Sequence, residues 1–317
     1  MGVTYRRGSL DVQRRVGVRE AAEHVGRSVG SGIREVAAVF LEQQPFLVVG
    51  AVDGAGLLWA SQLTGPPGFV RATGPHRITV SGGVPEGDPL AGVLAIPGTA
   101  VGTIALDPRT RRRMRLNGVV DAGAVAAGRF SVEAEQVFAN CPKYLQKRQP
   151  LALVPQGGGV ERRGGVLTPD QEAWVRSADT FFVATTAEGG VEASHRGGRP
   201  GFVRVDAPGE LSWPDYPGNA MFLTLGNLVT DPRAGLLFPH WESGALLQLS
   251  GRARTEYAAD GSRTVRFTVA SVIESRHPGR LRWSGPEYSP ANPPVDAGTA
   301  TGVGPAPEEG HRGSTTR

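Results

Sequence analysis

The sequence predicts a mostly β fold with a few helices, in which two related small barrels follow one another in a single chain. Residues 60–71 and 193–204 are identical at eight of twelve positions and lie at an offset of 133. The same offset relates Val101-Gly102 to Ala234-Gly235, and Leu116-Asn117-Gly118 to Leu249-Ser250-Gly251. An offset that stays unchanged over about 60 residues indicates an internal duplication. Many short apolar runs lie between turn residues in a chain with 45 glycines and 25 prolines, which indicates short strands joined by tight turns.

The length of 317 residues corresponds to about two domains of roughly 150 residues, and each is long enough to bury a core. We divide the chain into an N-terminal extension (1–30), a first barrel (31–130), a helical connector with a glycine-rich linker (131–166), a second barrel (167–283) and a tail (284–317). The tail is predicted to be disordered because Gly, Pro, Ala, Ser and Thr dominate it and no hydrophobic periodicity remains.

The first half is predicted to open with a helix and then a buried strand. Apolar residues between positions 33 and 41 recur at helical spacing, and Pro45 lies just past their end. Residues 46–52 are almost entirely apolar, which favours a buried strand, and Asp53-Gly54 is typical of a hairpin turn.

The second half repeats this order. Residues 168–171, Thr-Pro-Asp-Gln, have the form of a capping box with proline at the first helical position, and the helix is predicted to run to about Ala178. The matching strand is residues 181–186. Further strands are predicted at 191–195, 201–206, 210–213, 234–238, 245–257 and 263–275. Short strands with tight turns favour a small barrel over an open sandwich.

Two helices are predicted outside this pattern. Residues 219–229 have an apolar face and form a short helix between strands. Residues 131–149 are predicted to form a connecting helix, because Glu133 and Glu135 would lie in its first turn and complement the helix dipole. Asn140-Cys141-Pro142 would break or kink it.

The composition argues against several classes of protein. No apolar run approaches the about 18 residues of a membrane span. Cys141 is the only cysteine, which rules out an internal disulfide and, with a polar N-terminus, favours the cytoplasm. It is predicted to be buried and inert. The net charge is +4, and the densest basic cluster, at 109–115, is better explained as a solvated strand edge than as a nucleic-acid site.

Two segments of the second half could carry chemistry. Residues 194–204 place Ser194, Arg196, Arg199 and Arg204 among glycines, and such a loop offers charge-assisted donors and exposed amides to a phosphate. A basic but merely solvated loop remains an equal alternative. In residues 213–219 a strand ends and a short helix begins, where free amides favour an anion. Asn219 could also serve as the N-cap of that helix.

The motifs of the second half resemble those of the pyridoxamine 5′-phosphate oxidase-like family. The series is Pro-Gly-Phe-Val-Arg-Val (200–205), Leu-x-Trp-Pro-Asp-Tyr-Pro-Gly-Asn (211–219), Leu-Gly-Asn-Leu (225–228), Asp-Pro-Arg-Ala-Gly-Leu-Leu-Phe (231–238) and Leu-Gln-Leu-Ser-Gly-Arg-Ala (247–253). Residues 137–144 also resemble a connector of two-barrel members. The resemblance covers about residues 181–257, and more weakly 46–120.

This resemblance implies tandem duplicated split β-barrels that form an intrachain pseudo-dimer, with FMN in the groove between them. It implies FMN contacts from Arg204, Asp215, Tyr216, Asn219 and Gln248, and from the backbone of Gly201, Phe202 and Val203 near the isoalloxazine ring. Ser194, Arg196 and Arg199 are added on grounds of charge.

The sequence also departs from the family. Many relatives carry Lys or Arg near the start of the short helix, where Ala220 and Met221 stand here. The first half has residues 86–90, Glu-Gly-Asp-Pro-Leu, in place of Tyr-Pro-Gly-Asn. We therefore expect a degenerate first barrel and one flavin per chain. Nothing in the tail matches the substrate-binding segment of true pyridoxamine-phosphate oxidases, so the substrate stays unassigned.

Three hypotheses remain. The first is an FMN-dependent oxidoreductase with a small-molecule substrate, no assignable catalytic residue, and electrons from a nicotinamide cofactor or a separate reductase. The second is a flavin-binding sensor or carrier without turnover. The third keeps the fold and replaces flavin with haem or a deazaflavin. No metal site is expected, because His195, His240 and His277 lack ligand spacing. No nucleic-acid or membrane partner is expected, and pairing with a second chain as a homodimer is left open.

Overall fold

The computed structural model describes residues 5–295, apart from 83, 86, 123–127, 140–141, 155–160 and 277–280. The helices of the described residues are α1 (Arg7–Val16), α2 (Arg19–Gly26), α3 (Glu35–Glu42), α4 (Pro169–Ser177) and α5 (Leu223–Thr230). The strands of the first half are β1 (Phe46–Val52), β2 (Leu58–Thr64), β3 (Val70–Gly74), β4 (Arg77–Ser81), β5 (Ala100–Asp107), β6 (Arg112–Val120) and β7 (Arg129–Ala139). The later strands are β8 (Pro150–Leu153), β9 (Glu161–Gly164), β10 (Thr180–Ala187), β11 (Gly190–Gly197), β12 (Arg204–Ala207), β13 (Glu210–Pro214), β14 (Arg233–Pro239), β15 (Leu246–Tyr257), β16 (Arg263–Ser275) and β17 (Leu281–Trp283).

Two large sheets repeat one topology. The first has the strand order β2-β1-β5-β6-β7-β4-β3, and the second has β11-β10-β14-β15-β16-β13-β12, with β9 added beside β16. Each strand of the second order is the counterpart of the strand at the same place in the first, so β4 corresponds to β13 at the offset of 133. The predicted fold class is confirmed: the chain is mostly β, with tandem duplicated split β-barrels that form an intrachain pseudo-dimer.

Alternation along the central strands explains how one chain builds three cores. In β10, Phe181 and Val183 point into the second barrel, whereas Phe182 and Ala184 point toward the first barrel. β1 alternates in the same way. The outward residues of both barrels form a fully buried layer that we call the seam. A strand that packs into a core on both of its faces needs apolar residues at successive positions. For this reason β1 and β10 do not alternate between polar and apolar residues in the sequence.

Glycines allow the barrels to approach closely at the seam. A Cβ atom on Gly235 would lie 2.6 Å from the carbonyl oxygen of Leu58 and 2.7 Å from the Cα of Trp59. Its counterpart Gly102 lies equally tightly against the backbone of Glu192. These two glycines, 133 residues apart, therefore make equivalent contacts, each with the backbone of the opposite barrel.

The N-terminal extension packs on the second barrel. Helix α1 crosses α5 closely enough that a side chain at Gly8 would collide with Gly226. The side-chain amide of Gln13 donates a hydrogen bond of 3.0 Å to the carbonyl of Met221, just before α5. The extension thereby supports the segment that leads into α5.

The start of the second barrel matches the sequence prediction. The Thr168 hydroxyl accepts from the amide of Gln171, and the Gln171 side chain accepts from the amide of Thr168. This capping box is confirmed, and the helix it begins ends at Ser177.

The predicted connecting helix at 131–149 is wrong throughout its described residues, because residues 129–139 form strand β7 and residues 142–149 are not helical. Phe130, Val132 and Ala134 alternate into the first core, and β7 pairs with both β6 and β4. Glu133, which had suggested a helix start, instead faces outward and pairs with Arg77. Period-two burial between two partner strands outweighs the local dipole signal. The predicted break at 140–141 lies outside the described residues.

The predicted disorder of the tail is wrong for residues 284–295. Gln146 Oε1 accepts hydrogen bonds from the amide of Ser289 at 2.8 Å and from the side chain of Asn292 at 2.9 Å, and all three residues are buried. The side-chain oxygen of Gln146 therefore holds a stretch that lacks hydrophobic periodicity. The rest of the tail and residues 156–160 of the predicted glycine-rich linker (156–165) lie outside the described residues, whereas residues 161–164 of that linker form strand β9, which pairs with β16. Among the helices of the described residues, none is long and apolar enough to cross a membrane.

Candidate functional site

A cleft opens where the seam reaches the end of β11, and it encloses about 890 Å³ of space including its open mouth. The second barrel contributes the last residues of β11, the segment after β13 and the first turn of α5. The first barrel contributes Arg113 and Arg115 from β6, and the connector contributes Lys143 and Tyr144. The cleft therefore needs side chains from both barrels.

The cleft carries an excess of positive charge. Four cationic side chains line it, and Asp215 is the only carboxylate among its described lining residues. Asp215 already accepts a hydrogen bond of 2.9 Å from Arg263. The described lining of the cleft therefore has more cationic than anionic side chains.

Arg115 and Arg196 are the two most constrained of these cations. Arg115 Nη2 donates to Glu192 Oε2 at 3.2 Å, and both side chains are buried. Burial lowers the pKa of Arg115, although Glu192 opposes the shift. Burial also lowers the pKa of Arg196, against the attraction of Asp215 and with the repulsion of Arg115. A bound anion would relieve the electrostatic cost of holding both cations here.

The hydroxyl of Ser194 is oriented by its neighbour. Arg196 Nη1 donates to Ser194 Oγ at 2.7 Å, and both residues lie on the same face of β11. The hydroxyl accepts this bond and keeps its own proton available for a ligand acceptor.

His195 lies on the opposite face of β11 and is held neutral. Its Nδ1 lies 3.0 Å from Arg113 Nη1, and its ring meets Phe182 edge-on. Because Arg113 can only donate, Nδ1 accepts and the imidazole proton sits on Nε2. Burial, followed by repulsion from Arg113 and Arg196, lowers the pKa of His195 well below 6.5.

The first turn of α5 faces the cleft without a side-chain cap. The helix begins after Phe222, which has a left-handed φ of 53°, and no side chain among the described residues accepts from its first amides. The predicted N-cap role of Asn219 is wrong: its Oδ1 instead accepts from the amide of Met221 at 3.2 Å, before the helix. Uncapped amides and the helix dipole favour an anion at this position.

Backbone strain is concentrated around the cleft. Five non-glycine residues among those described have a positive φ, and Tyr144, Ala220 and Phe222 are three of them. All three line the cleft. Such conformations cost about 1–3 kcal/mol each and persist at sites where the surrounding structure imposes them. The connector is further fixed there because Tyr144 Oη donates to the carbonyl of Pro217 at 2.9 Å.

The structure divides the predicted site residues into two groups. Those that line the cleft are Ser194, Arg196, Phe202, Asp215, Tyr216 and Asn219. Those that lie elsewhere are Arg199, Gly201, Val203, Arg204 and Gln248. Arg199 lies over the ring of Tyr288, and Val203 is buried in the second core. Gly201 and Arg204 line a separate groove beside Val295. Strand β11 ends at Gly197, and neither Arg199 nor Arg204 beyond it lines the cleft.

Arg113, Arg115 and Lys143 were missed by sequence reasoning. Arg115 corresponds to Gln248 at the offset of 133, and Gln248 contacts the first barrel, at Ala60 and Ser61. In this pseudo-dimer the residue at this position of each barrel contacts the other barrel. Exchanging the predicted Gln248 for its counterpart would have identified Arg115.

The two described histidines that the sequence singled out, His195 and His240, lie in different places. Within the described ranges, no group of three or more His, Cys, Asp or Glu side chains is arranged to hold a metal ion. His240 lies 5.5 Å from the ring of Trp174 in a different hollow, away from the cleft. His277 and Cys141 lie outside the described residues.

No family model matches the chain. No match is found among curated proteins. Part of the chain is similar to solved structures. HupZ from Group A Streptococcus is 14% identical with a TM-score of 0.28, over 38% of this chain and 99% of HupZ. A protein of the pyridoxinephosphate oxidase family from Clostridium acetobutylicum, related to general stress protein 26 of B. subtilis, is 14% identical with a TM-score of 0.27, over 36% and 91%. A NimC/NimA family protein from the same organism is 11% identical with a TM-score of 0.26, over 35% and 85%.

Proposed function

We propose that the cleft binds FMN and that the protein is an FMN-dependent oxidoreductase. The observation that carries this proposal is the convergence of Arg113, Arg115 and Arg196 from both barrels on one cleft, where Asp215 is the only carboxylate among the described lining residues. A phosphate monoester with about two negative charges matches such a donor set, since each charge-assisted hydrogen bond is roughly twice as strong as a neutral one.

The donor chemistry of the cleft fits the cofactor. Ser194 supplies a hydroxyl, Arg196 a guanidinium and α5 its uncapped first turn, which together suit a phosphate. Tyr144 and Tyr216, with ring centroids 5.1 Å apart, give the mouth an aromatic wall that suits a planar ring.

FMN, when bound, supplies hydride and electron transfer. The protein's own residues bind and orient it. Neutral His195 can donate a hydrogen bond through Nε2 but carries no positive charge. The ion pair with Glu192 keeps the guanidinium of Arg115 in place. A small-molecule substrate would enter through the open mouth, and the electrons would come from a nicotinamide cofactor or a separate reductase.

An absorption spectrum of the purified protein, followed by mass identification of the released ligand, tests the proposal. We expect a flavin spectrum, or the uptake of one FMN per chain by ligand-free protein. A haem Soret band or a deazaflavin mass would overturn the choice of cofactor. Reduction by a nicotinamide and reoxidation by oxygen or a quinone would support the enzyme, and bound FMN that no donor reduces would instead identify a flavin-binding sensor or carrier.

A further inference from the structure

A carboxylate fills the place in the first barrel that corresponds to the cleft. Asp88 Oδ1 accepts hydrogen bonds from Ser61 Oγ at 2.7 Å and from the amide of Leu90 at 2.8 Å. Asp88 Oδ2 lies 3.4 Å from Nε2 of Gln248, which reaches across from the second barrel. The carboxylate of Asp88 therefore contacts three donors: a hydroxyl, a backbone amide and a side chain of the opposite barrel.

Each of these three donors has a counterpart at the cleft. At the offset of 133, Ser61 corresponds to Ser194, and Leu90 corresponds to Leu223, the first residue of α5. Gln248 corresponds to Arg115, which likewise reaches across from the other barrel. The duplication has thus kept the same three kinds of donor at both places.

The acceptor is what the two places do not share. Asp88 corresponds to Met221, whose side chain is buried among apolar residues. The cleft consequently has the hydroxyl, the helix start and the cross-barrel side chain, but its chain supplies no carboxylate at the matching position. The cross-barrel residue also differs in charge: neutral Gln248 contacts Asp88, whereas cationic Arg115 pairs with Glu192 and lines the cleft.

We infer that Asp88 is a built-in anion that closes the first barrel's counterpart of the cleft, and that its position marks the anion subsite of the cleft itself. In the cleft, the ligand's anionic group lies among the Ser194 hydroxyl, the first amides of α5 and the guanidinium of Arg115. The identity of that group as a phosphate ester rests on the proposed function, but the closure by Asp88 does not.

Removal of the carboxylate tests the closure without any flavin. In D88A the three donors lose their acceptor, and formate is small enough to replace it. We expect sodium formate to raise the melting temperature of D88A by roughly 2–4 °C more than sodium chloride does, and to have no such effect on the wild type or on D88N, in which an amide fills the space. If D88A does not fold, D88S takes its place. An equal response of all these proteins to formate would overturn the inference.

A second measurement asks whether the closed place is a latent site. Titration calorimetry with inorganic phosphate should give one equivalent per chain for the wild type and two for the double variant D88A/Q248R. A folded double variant that still binds one equivalent would overturn the inference. Wild-type protein that binds neither phosphate nor FMN would instead defeat the proposed function, while the response of D88A to formate would still report on Asp88.

Discussion

Arg115 of the first barrel and Glu192 of the second form an ion pair across the seam, with Nη2 and Oε2 3.2 Å apart and both side chains about 5% exposed. Arg115 also lies over the ring of Phe138, at 4.8 Å from its centroid. Loss of one partner from such a pair leaves the other charge buried and uncompensated. The pair therefore connects the assembly of the two barrels to the charge of the cleft.

Replacement of Arg115 by Met should destabilise the protein by about 3–5 kcal/mol, because Glu192 keeps its charge in a buried place. The double variant R115M/E192Q should recover a large part of this loss, since it removes both charges. Urea unfolding of the two variants and of E192Q completes the cycle. Additive effects would contradict the direct coupling of these two residues.

Arg196→Ala should weaken FMN binding by about 1.5–3 kcal/mol, which is the scale of a hydrogen bond to a charged group and corresponds to roughly a 10- to 150-fold rise in Kd. Arg204→Ala is the matched control, because Arg204 belongs to the same segment but lies outside the cleft. Fluorescence titration of ligand-free protein measures both. A larger loss for Arg204→Ala would place the cofactor in the groove beside Val295 instead.

The stability of the protein should fall below about pH 6.5 because of His195. Its pKa is well below 6.5 in the folded chain, so the unfolded chain takes up a proton that the folded chain does not. The contribution of His195 is thus present above the unfolded pKa and is lost as the pH falls toward the folded pKa, by up to about 1.4 kcal/mol per pH unit. His195→Gln should show a flatter dependence between about pH 7 and 5 in urea unfolding. Identical slopes for both proteins would exclude His195 as the source.

The architecture could be predicted from the sequence because the chain contains two related copies of it. The match between residues 60–71 and 193–204 locates equivalent strands, and the apolar run of β1 reappears in β10. Local signals worked where they were complete, as in the capping box of Thr168 and Gln171. They failed for β7, because pairing with β6 and with the more distant β4 overrides the acidic residues that had suggested a helix.

The cleft was harder to predict, because half of it comes from the other barrel. Ser194 and Arg196 were identified from charge and glycine content, and Asp215 and Tyr216 from the resemblance. Arg115 lies about 80 residues from Ser194 and belongs to a strand whose basic residues had been interpreted as a solvated edge. A sequence pattern reports which residues are near one another along the chain, whereas the cleft depends on how two barrels dock.

Gly235 offers a test of that docking. A Cβ atom there would lie within 2.7 Å of the Leu58 oxygen and the Trp59 Cα, which belong to the backbone of the opposite barrel and cannot rotate away. Gly235→Ala should therefore destabilise the protein by about 1–3 kcal/mol or more through overpacking. Gly209→Ala is the control, because nothing lies within 4 Å of a Cβ atom at Gly209.

A Cβ atom at Gly235 would push the two barrels apart and so move Arg115 relative to Ser194. Gly235→Ala should therefore also weaken FMN binding, although Gly235 does not line the cleft. Thermal unfolding and FMN titration of both variants give the two readouts. Full stability of Gly235→Ala would mean that the barrels are not held at the close distance that this glycine permits.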